Sequence, residues 1–185
     1  MCLPVCIRAG FRLERLVFMF RQMRRFRQLL DDKLSADILT RGTVGVLALS
    51  GDEDYPYAVP VNYYYENGII YIHGAATGHK IDAIARNPKV SFCVVDEDRN
   101  VPEEFTTYFR SVIAFGKARL VEDAEEKRLA AQKLADKFSP DEPAERRDAE
   151  IAREWKALGV IRIDIEHLTG KEAIELVRER KKAES

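Results

Sequence analysis

The run Tyr71-Ile72-His73-Gly74-Ala75-Ala76-Thr77-Gly78-His79-Lys80 is the segment richest in groups able to do chemistry. A strand-like stretch passes through small residues into a helical one, and a helix N-terminus leaves backbone N–H groups unpaired beside a partial positive charge. Gly74, Ala75 and Gly78 let a ligand come close, so the segment has the form of a phosphate cradle. Lys80 would stand in the first helical turn, where the helix dipole repels a cation; a bound anion accounts for its position. A surface lysine after a glycine turn is the plainer alternative, and the segment alone leaves both open.

Upstream, Tyr57-Ala58-Val59-Pro60-Val61-Asn62-Tyr63 carries a proline inside a strand-like run, where the missing N–H cannot join a ladder. A barrel edge or a gap facing a ligand satisfies that residue equally well. In the second case backbone groups and the Asn62 amide would bond a flat polar heterocycle, with Val59 and Val61 supplying apolar faces. Cys93, within Val90-Ser91-Phe92-Cys93-Val94-Val95, reads as a small hydrophobe rather than a reactive thiol. No two histidines or cysteines show metal-site spacing, so no metal is expected.

The elements that must hold these residues follow from periodicity. Residues 31–40 carry apolar side chains at helical spacing and stop at Arg41-Gly42. Residues 43–49 form a β-branched strand ending in a turn-rich stretch, residues 57–65 form a second, and Asn67-Gly68 suits a tight hairpin into a third over 69–73. Residues 78–87 are a helix closed by Asn87-Pro88. Strands over 89–95 and 108–121 flank an acidic loop, with a bend expected at Gly116. Helices over 123–138 and 144–157 precede a sixth strand, 159–165, in which Ile161, Ile163 and Ile165 alternate with polar residues, and 171–182 is an amphipathic helical tail. Six antiparallel strands with peripheral helices imply a mainly β, wholly or partly closed barrel, because closure removes exposed edges. The βαβ alternation and Gly-x-Gly-x-x-Gly loop of a dinucleotide fold are absent.

A chain of 185 residues, 46% apolar and 33% charged, suits one globular core with some tail to spare. The 30 basic and 31 acidic residues leave a formal charge of −1, which argues against a nucleic-acid or membrane partner and makes any anion site local. No stretch approaches the roughly 18 consecutive apolar residues of a membrane span. Three cysteines cannot pair completely, which fits a reducing cytoplasm. Residues 1–22 differ from the rest, with Arg8, Arg12, Arg15 and Arg21 against Glu14 alone. Their arginines break any signal-peptide core and the absence of serine argues against a transit peptide, so they read as a dispensable tail with Met23 as an alternative start. The expected division is a 1–22 tail, a 23–170 barrel domain and a 171–185 helical tail.

Taken in order, Pro60-Val61-Asn62-Tyr63, Asn67-Gly68, the 71–80 segment, Asn87-Pro88-Lys89-Val90-Ser91-Phe92, residues 108–118 and Leu168-Thr169-Gly170-Lys171-Glu172 resemble the pyridoxamine 5′-phosphate oxidase-like flavin-binding split barrels, most closely their nitroimidazole-resistance branch. The resemblance runs from about Met23 to Glu172. It implies a Greek-key split barrel, a homodimer with the cofactor at the subunit interface, and FMN as that cofactor. The phosphate would lie near Ala75, Gly78 and Lys80, with His79 either at its edge or on the surface of the first turn; the ring would lie along Val59, Pro60, Val61, Asn62 and Ile72, His73 and Gly74. Arg110-Ser111-Val112 would be a cofactor-binding strand, from whichever subunit. His73 is the candidate for proton donation or substrate orientation, with a structural hydrogen-bond donor as the other reading; His167 reads as structural, and Trp155 as a helix residue packing on the barrel rather than a cover for the flavin. The paired arginines and C-terminal tryptophan ending that hold vitamin B6 substrate are not evident, so the implied activity is a flavin-dependent reductase or oxidase of another small molecule, with a nitroaromatic as test substrate. A non-catalytic module holding flavin, haem or a deazaflavin is the other reading.

Overall fold

The computed structural model describes residues 20–183, so most of the expected tail, with Cys2 and Cys6, lies outside the described residues. Asp31 caps the first helix, α1 (Asp32–Arg41), by accepting a 2.7 Å hydrogen bond from the Leu34 N–H. The chain then runs β2 (Val44–Ser50), β3 (Pro56–Asn62), β4 (Tyr64–Glu66), β5 (Ile69–Ala75), α2 (His79–Arg86), β6 (Lys89–Val101), β7 (Thr106–Leu120), α3 (Ala124–Phe138), α4 (Ala144–Glu154), β8 (Leu158–Glu172) and α5 (Ile174–Ala183). A two-residue strand, β1 (Leu29–Leu30), precedes α1 and pairs with the end of β8.

All strand pairs are antiparallel, in the order β3-β2-β6-β7-β8-β5-β4, with β1 joined to β8. The two ends of that order, β3 and β4, are separated along the chain by Tyr63 alone. The sheet must therefore curl until its edges meet, which makes a barrel split along a seam between β3 and β5. Tyr63 plugs the seam, fully buried and edge-on to Phe92 at 4.9 Å. Around it the inward residues Leu47, Leu49, Ile70, Ile72, Phe92, Val94, Val112, Ala114, Ile161 and Ile163 form one core with Ile38 and Leu39 of α1.

Eight strands replace the six expected. The expected 57–65 strand is two, because Tyr63 turns into the core between them. The expected acidic loop after Val95 is strand: β6 continues to Val101 and pairs residue by residue with β7 down to Val101↔Thr106. This extension packs Val101 and Tyr108 on one side and is held by cross-strand pairs, Thr107 donating to Asn100 at 2.8 Å and the Arg99 guanidinium 4.5 Å above the Tyr108 ring. The final strand runs on to Glu172, past a bulge opposite Phe115 and Gly116, where the expected bend occurs. Behind it α5 packs Leu176 against Tyr108.

Candidate functional site

β5 and α2 are joined by three residues, Ala76, Thr77 and Gly78, which make the expected turn from strand to helix. Gly78 takes φ +114, a conformation side-chain-bearing residues rarely adopt, and no side chain caps the helix it starts. The Ile81 and Asp82 N–H groups both bond the Gly78 carbonyl at 2.8 and 3.1 Å, which leaves the earlier N–H groups of the turn for a ligand. A Cβ on Gly74 or Gly78 would meet nothing within 4 Å, so both glycines face open space, as a cradle requires. Across the ladder the opposite holds: Gly74 pairs with Gly159, where a Cβ would stand 2.7 Å from the Ala76 Cα. The turn is thus pressed against β8 on one side and open on the other. Lys80 is half-buried in the first turn of α2 and has no ion pair among the described residues. His79 turns away, stacking on Tyr57 at 4.2 Å with its Nε2 3.5 Å from Asp52, which also binds Arg86 at 2.7 Å. That stack pins α2 to the edge strand.

Pro60 lies on β3, the outer strand of the sheet, so its missing N–H interrupts no ladder. Ala58, Pro60 and Asn62 are exposed, while Val59 and Val61 pack inward on the core. The Asn62 amide donates 2.9 Å to the Thr43 carbonyl, leaving one hydrogen and its oxygen for another partner. Along β5 the alternation continues, with Ile72 buried and His73 on the outer surface beside Ala75. There His73 lines a cavity of about 280 Å³ beneath the α3–α4 hairpin, walled by Leu134, Phe138, Ile151 and Leu158 and rimmed by Glu150 and Glu154. The cavity was not legible from sequence, since its walls come from three elements whose mutual packing no local pattern encodes. Trp155 packs on α3 under the Lys127 ammonium, 4.4 Å from its ring.

The residues on β7 sit elsewhere. Val112 is fully buried in the core and Ser111 is half-buried on the outer face, paired with Lys171. Gly74 pairs with Gly159, so on one protomer the two groups occupy opposite ends of β8, twelve residues apart, or about 40 Å of extended strand. The Arg110 guanidinium contacts Glu172 at 3.2 Å and Asp96 at 3.4 Å. Glu172, with no exposed surface, is held on its other oxygen by Arg180 at 2.9 Å, and Asp96 by Arg41 at 2.7 Å. Such a chain of alternating charges compensates a carboxylate that would be costly to bury alone.

Between these groups the outer face of β2, β6 and β7 is apolar. Val46 pairs with Cys93 and Cys93 with Ile113; Val44, Val46, Val95 and Ile113 are 51, 38, 63 and 39% exposed. Cys93 is half-buried, and burial pushes its thiol pKa up. At the margin His167 bonds Thr169 at 2.9 Å and stacks on Phe20 at 4.6 Å.

The sequence profile of pyridoxamine 5′-phosphate oxidase matches residues 31–172. The chain belongs to that family. The pyridoxamine 5′-phosphate oxidase family is one of flavin-binding split barrels, and the split barrel described above is this chain's version of that fold. Among solved structures, a candidate 5-nitroimidazole antibiotic resistance protein from Bacteroides thetaiotaomicron is similar at 25% identity and a TM-score of 0.63, over 78% of this chain and 86% of that one. A flavocytochrome from Azotobacter vinelandii is similar at 20% and 0.67, over 82% and 72% of the two chains. An FAD-binding protein from Mesorhizobium loti is similar at 24% and 0.55, over 79% and 97%. These last two likenesses are of fold. No protein of curated function matches the sequence. Among the described residues no helix is long and apolar enough to cross a membrane.

Proposed function

We propose that this chain is an FMN-dependent oxidoreductase that acts on a small molecule as a homodimer. The observation that carries the reading is the β5–α2 turn, with open space over Gly74 and Gly78, an uncapped helix start and Lys80 without an acidic partner among the described residues. Backbone N–H groups of the turn and Lys80 would hold the phosphate, and Pro60, Asn62 and Gly74 would line the ring along the seam. A flavin bound there supplies two-electron transfer. The chain's own residues bind and orient: Val59 and Val61 close the inner side of the seam, and His73 places an imidazole between seam and cavity, where it orients substrate or passes it a proton.

Two observations support the dimer. Ser111 and Gly74 lie too far apart along β8 to share a ligand on one protomer, and the apolar face of β2, β6 and β7 lies between them. A second copy covering that face brings the β7 strand of one chain toward the cradle of the other. The neighbours described as an FAD-binding protein and a flavocytochrome support a flavin in general, and the resistance-protein likeness makes a nitroaromatic compound the first substrate to try.

The test is to identify the small molecule that co-purifies, by mass and absorbance, and then to reduce it anaerobically with NADPH or NADH. FMN that bleaches and is reoxidised by substrate supports the reading. Protein that binds no flavin at micromolar concentration refutes it, and bound flavin that no donor reduces makes the chain a binding module.

A further inference from the structure

The near-neutral total charge conceals one strongly basic region. Arg21, Arg24, Arg25 and Arg27 are all exposed, and no acid occurs between Arg15 and Leu30. The 3₁₀ turn Phe26–Gln28 packs against α5, and Arg24, Arg25 and Arg27 line a shallow cavity of about 360 Å³ with Ile174 of that helix. Arg178 is four residues on from Ile174 and Lys182 four further, so both extend the same face. The acids of α5, Glu175 and Glu179, lie toward Tyr108, whose hydroxyl they influence. Arg24, Arg25 and Arg27 have no carboxylate partner among the described residues. At the centre of the patch Phe26 is 71% exposed and Leu29 47%.

Exposed aromatic and aliphatic side chains ringed by arginines are the two signals that hold a protein on an anionic bilayer: apolar insertion at the headgroup level and attraction to negative lipid. We infer that the patch formed by residues 21–29 and the basic face of α5 is a docking surface for an anionic membrane. A single-stranded nucleic acid would use the arginines and could stack a base on Phe26, but the exposed aliphatic Leu29 offers it neither a charge nor a stacking face, whereas a bilayer takes both side chains. The inference is independent of the flavin site, since none of these residues lies in the cradle or the seam.

The full chain should co-sediment with vesicles of phosphatidylcholine containing about one third phosphatidylserine, and not with pure phosphatidylcholine. Raising the salt should release it. Arg24→Ala/Arg25→Ala/Arg27→Ala should weaken binding about a hundredfold, and Phe26→Ala severalfold. Arg146→Ala/Arg153→Ala/Lys156→Ala, which removes the same charge from an exposed stretch elsewhere, should bind as the parent does. Melting temperature and flavin content should be unchanged in all of them. The inference is overturned if the parent stays in the supernatant with anionic vesicles, if the first triple variant binds as tightly as the parent, or if only single-stranded DNA is retained by the patch.

Discussion

Replacing Gly74 should separate folding from cofactor binding, because no backbone strain or neighbouring atom requires a glycine there, while the proposed function sets the ligand against it. Gly74 is outside the positive-φ region, which among glycines holds Gly68 and Gly78, and its Cβ would meet nothing within 4 Å. Alanine or valine there costs the fold no contact and restricts the unfolded chain. The expected gain is about 0.4–1 kcal/mol, and so a rise in melting temperature of roughly 1–4 °C for a chain of this size. The same side chain would enter the space that the proposed function gives to the flavin. An intrusion of one to three heavy atoms costs about 1–3 kcal/mol of complementarity, which is a loss of affinity of about tenfold to a hundredfold. Gly159, its partner across the ladder, supplies the contrast, since a Cβ there would be 2.7 Å from the Ala76 Cα and 2.8 Å from the Ala75 oxygen. Gly159→Ala should destabilise the chain by about 1–3 kcal/mol. Thermal melting of the apoprotein and fluorescence titration with FMN measure the two quantities separately. A Gly74→Val variant that melts as expected yet binds FMN like the parent would refute the reasoning.

The remaining expectations concern the face and the charge networks. Val46→Asp or Ile113→Asp should cost a free monomer little, but in a dimer it buries an unpaired charge at a cost of about 3–5 kcal/mol; light scattering should then show monomers and the flavin should be lost. Glu126 accepts hydrogen bonds from Arg119 at 2.8 Å, Arg162 at 2.8 Å and the Tyr71 hydroxyl at 3.3 Å. Burial alone would raise its pKa, but the two arginines outweigh burial and lower it, and the hydrogen bond from Lys133 lowers that of Glu66. A carboxylate whose folded pKa is depressed stabilises above its unfolded pKa and ceases to as pH falls through the folded one, so urea midpoints should decline below about pH 4.5. The decline should be shallower in Glu126→Gln.

What the sequence makes legible follows the burial of each stretch. Strands with one face on the core, such as β2 and β5, announce themselves by alternation, and Asn67-Gly68 marks the turn between β4 and β5 through positive φ at both residues, 49 and 79. The same signal fails where the strand carries no apolar alternation. Asp96-Glu97-Asp98-Arg99-Asn100 resembles a loop because all five residues are polar or charged, and only the pairing with β7 makes it strand. β8 is misjudged past Ile165 for a different reason, since the bulge beside Phe115 and Gly116 shifts the alternation by one residue. The turn at Gly78 and the helix start beside Lys80 are readable because helix-start chemistry is local. The destination of His79, stacked on Tyr57, and the cavity beside His73 depend on packing between distant elements and leave no local trace.

Lys80 bears most directly on the central claim, that the β5–α2 turn seats the cofactor's phosphate. A cation meeting a phosphate contributes about 1.5–3 kcal/mol, so Lys80→Ala should retain the parent's melting temperature as apoprotein and bind FMN roughly ten- to a hundredfold more weakly in an equilibrium titration. FMN affinity equal to the parent's, in a variant shown to be folded, would contradict the claim.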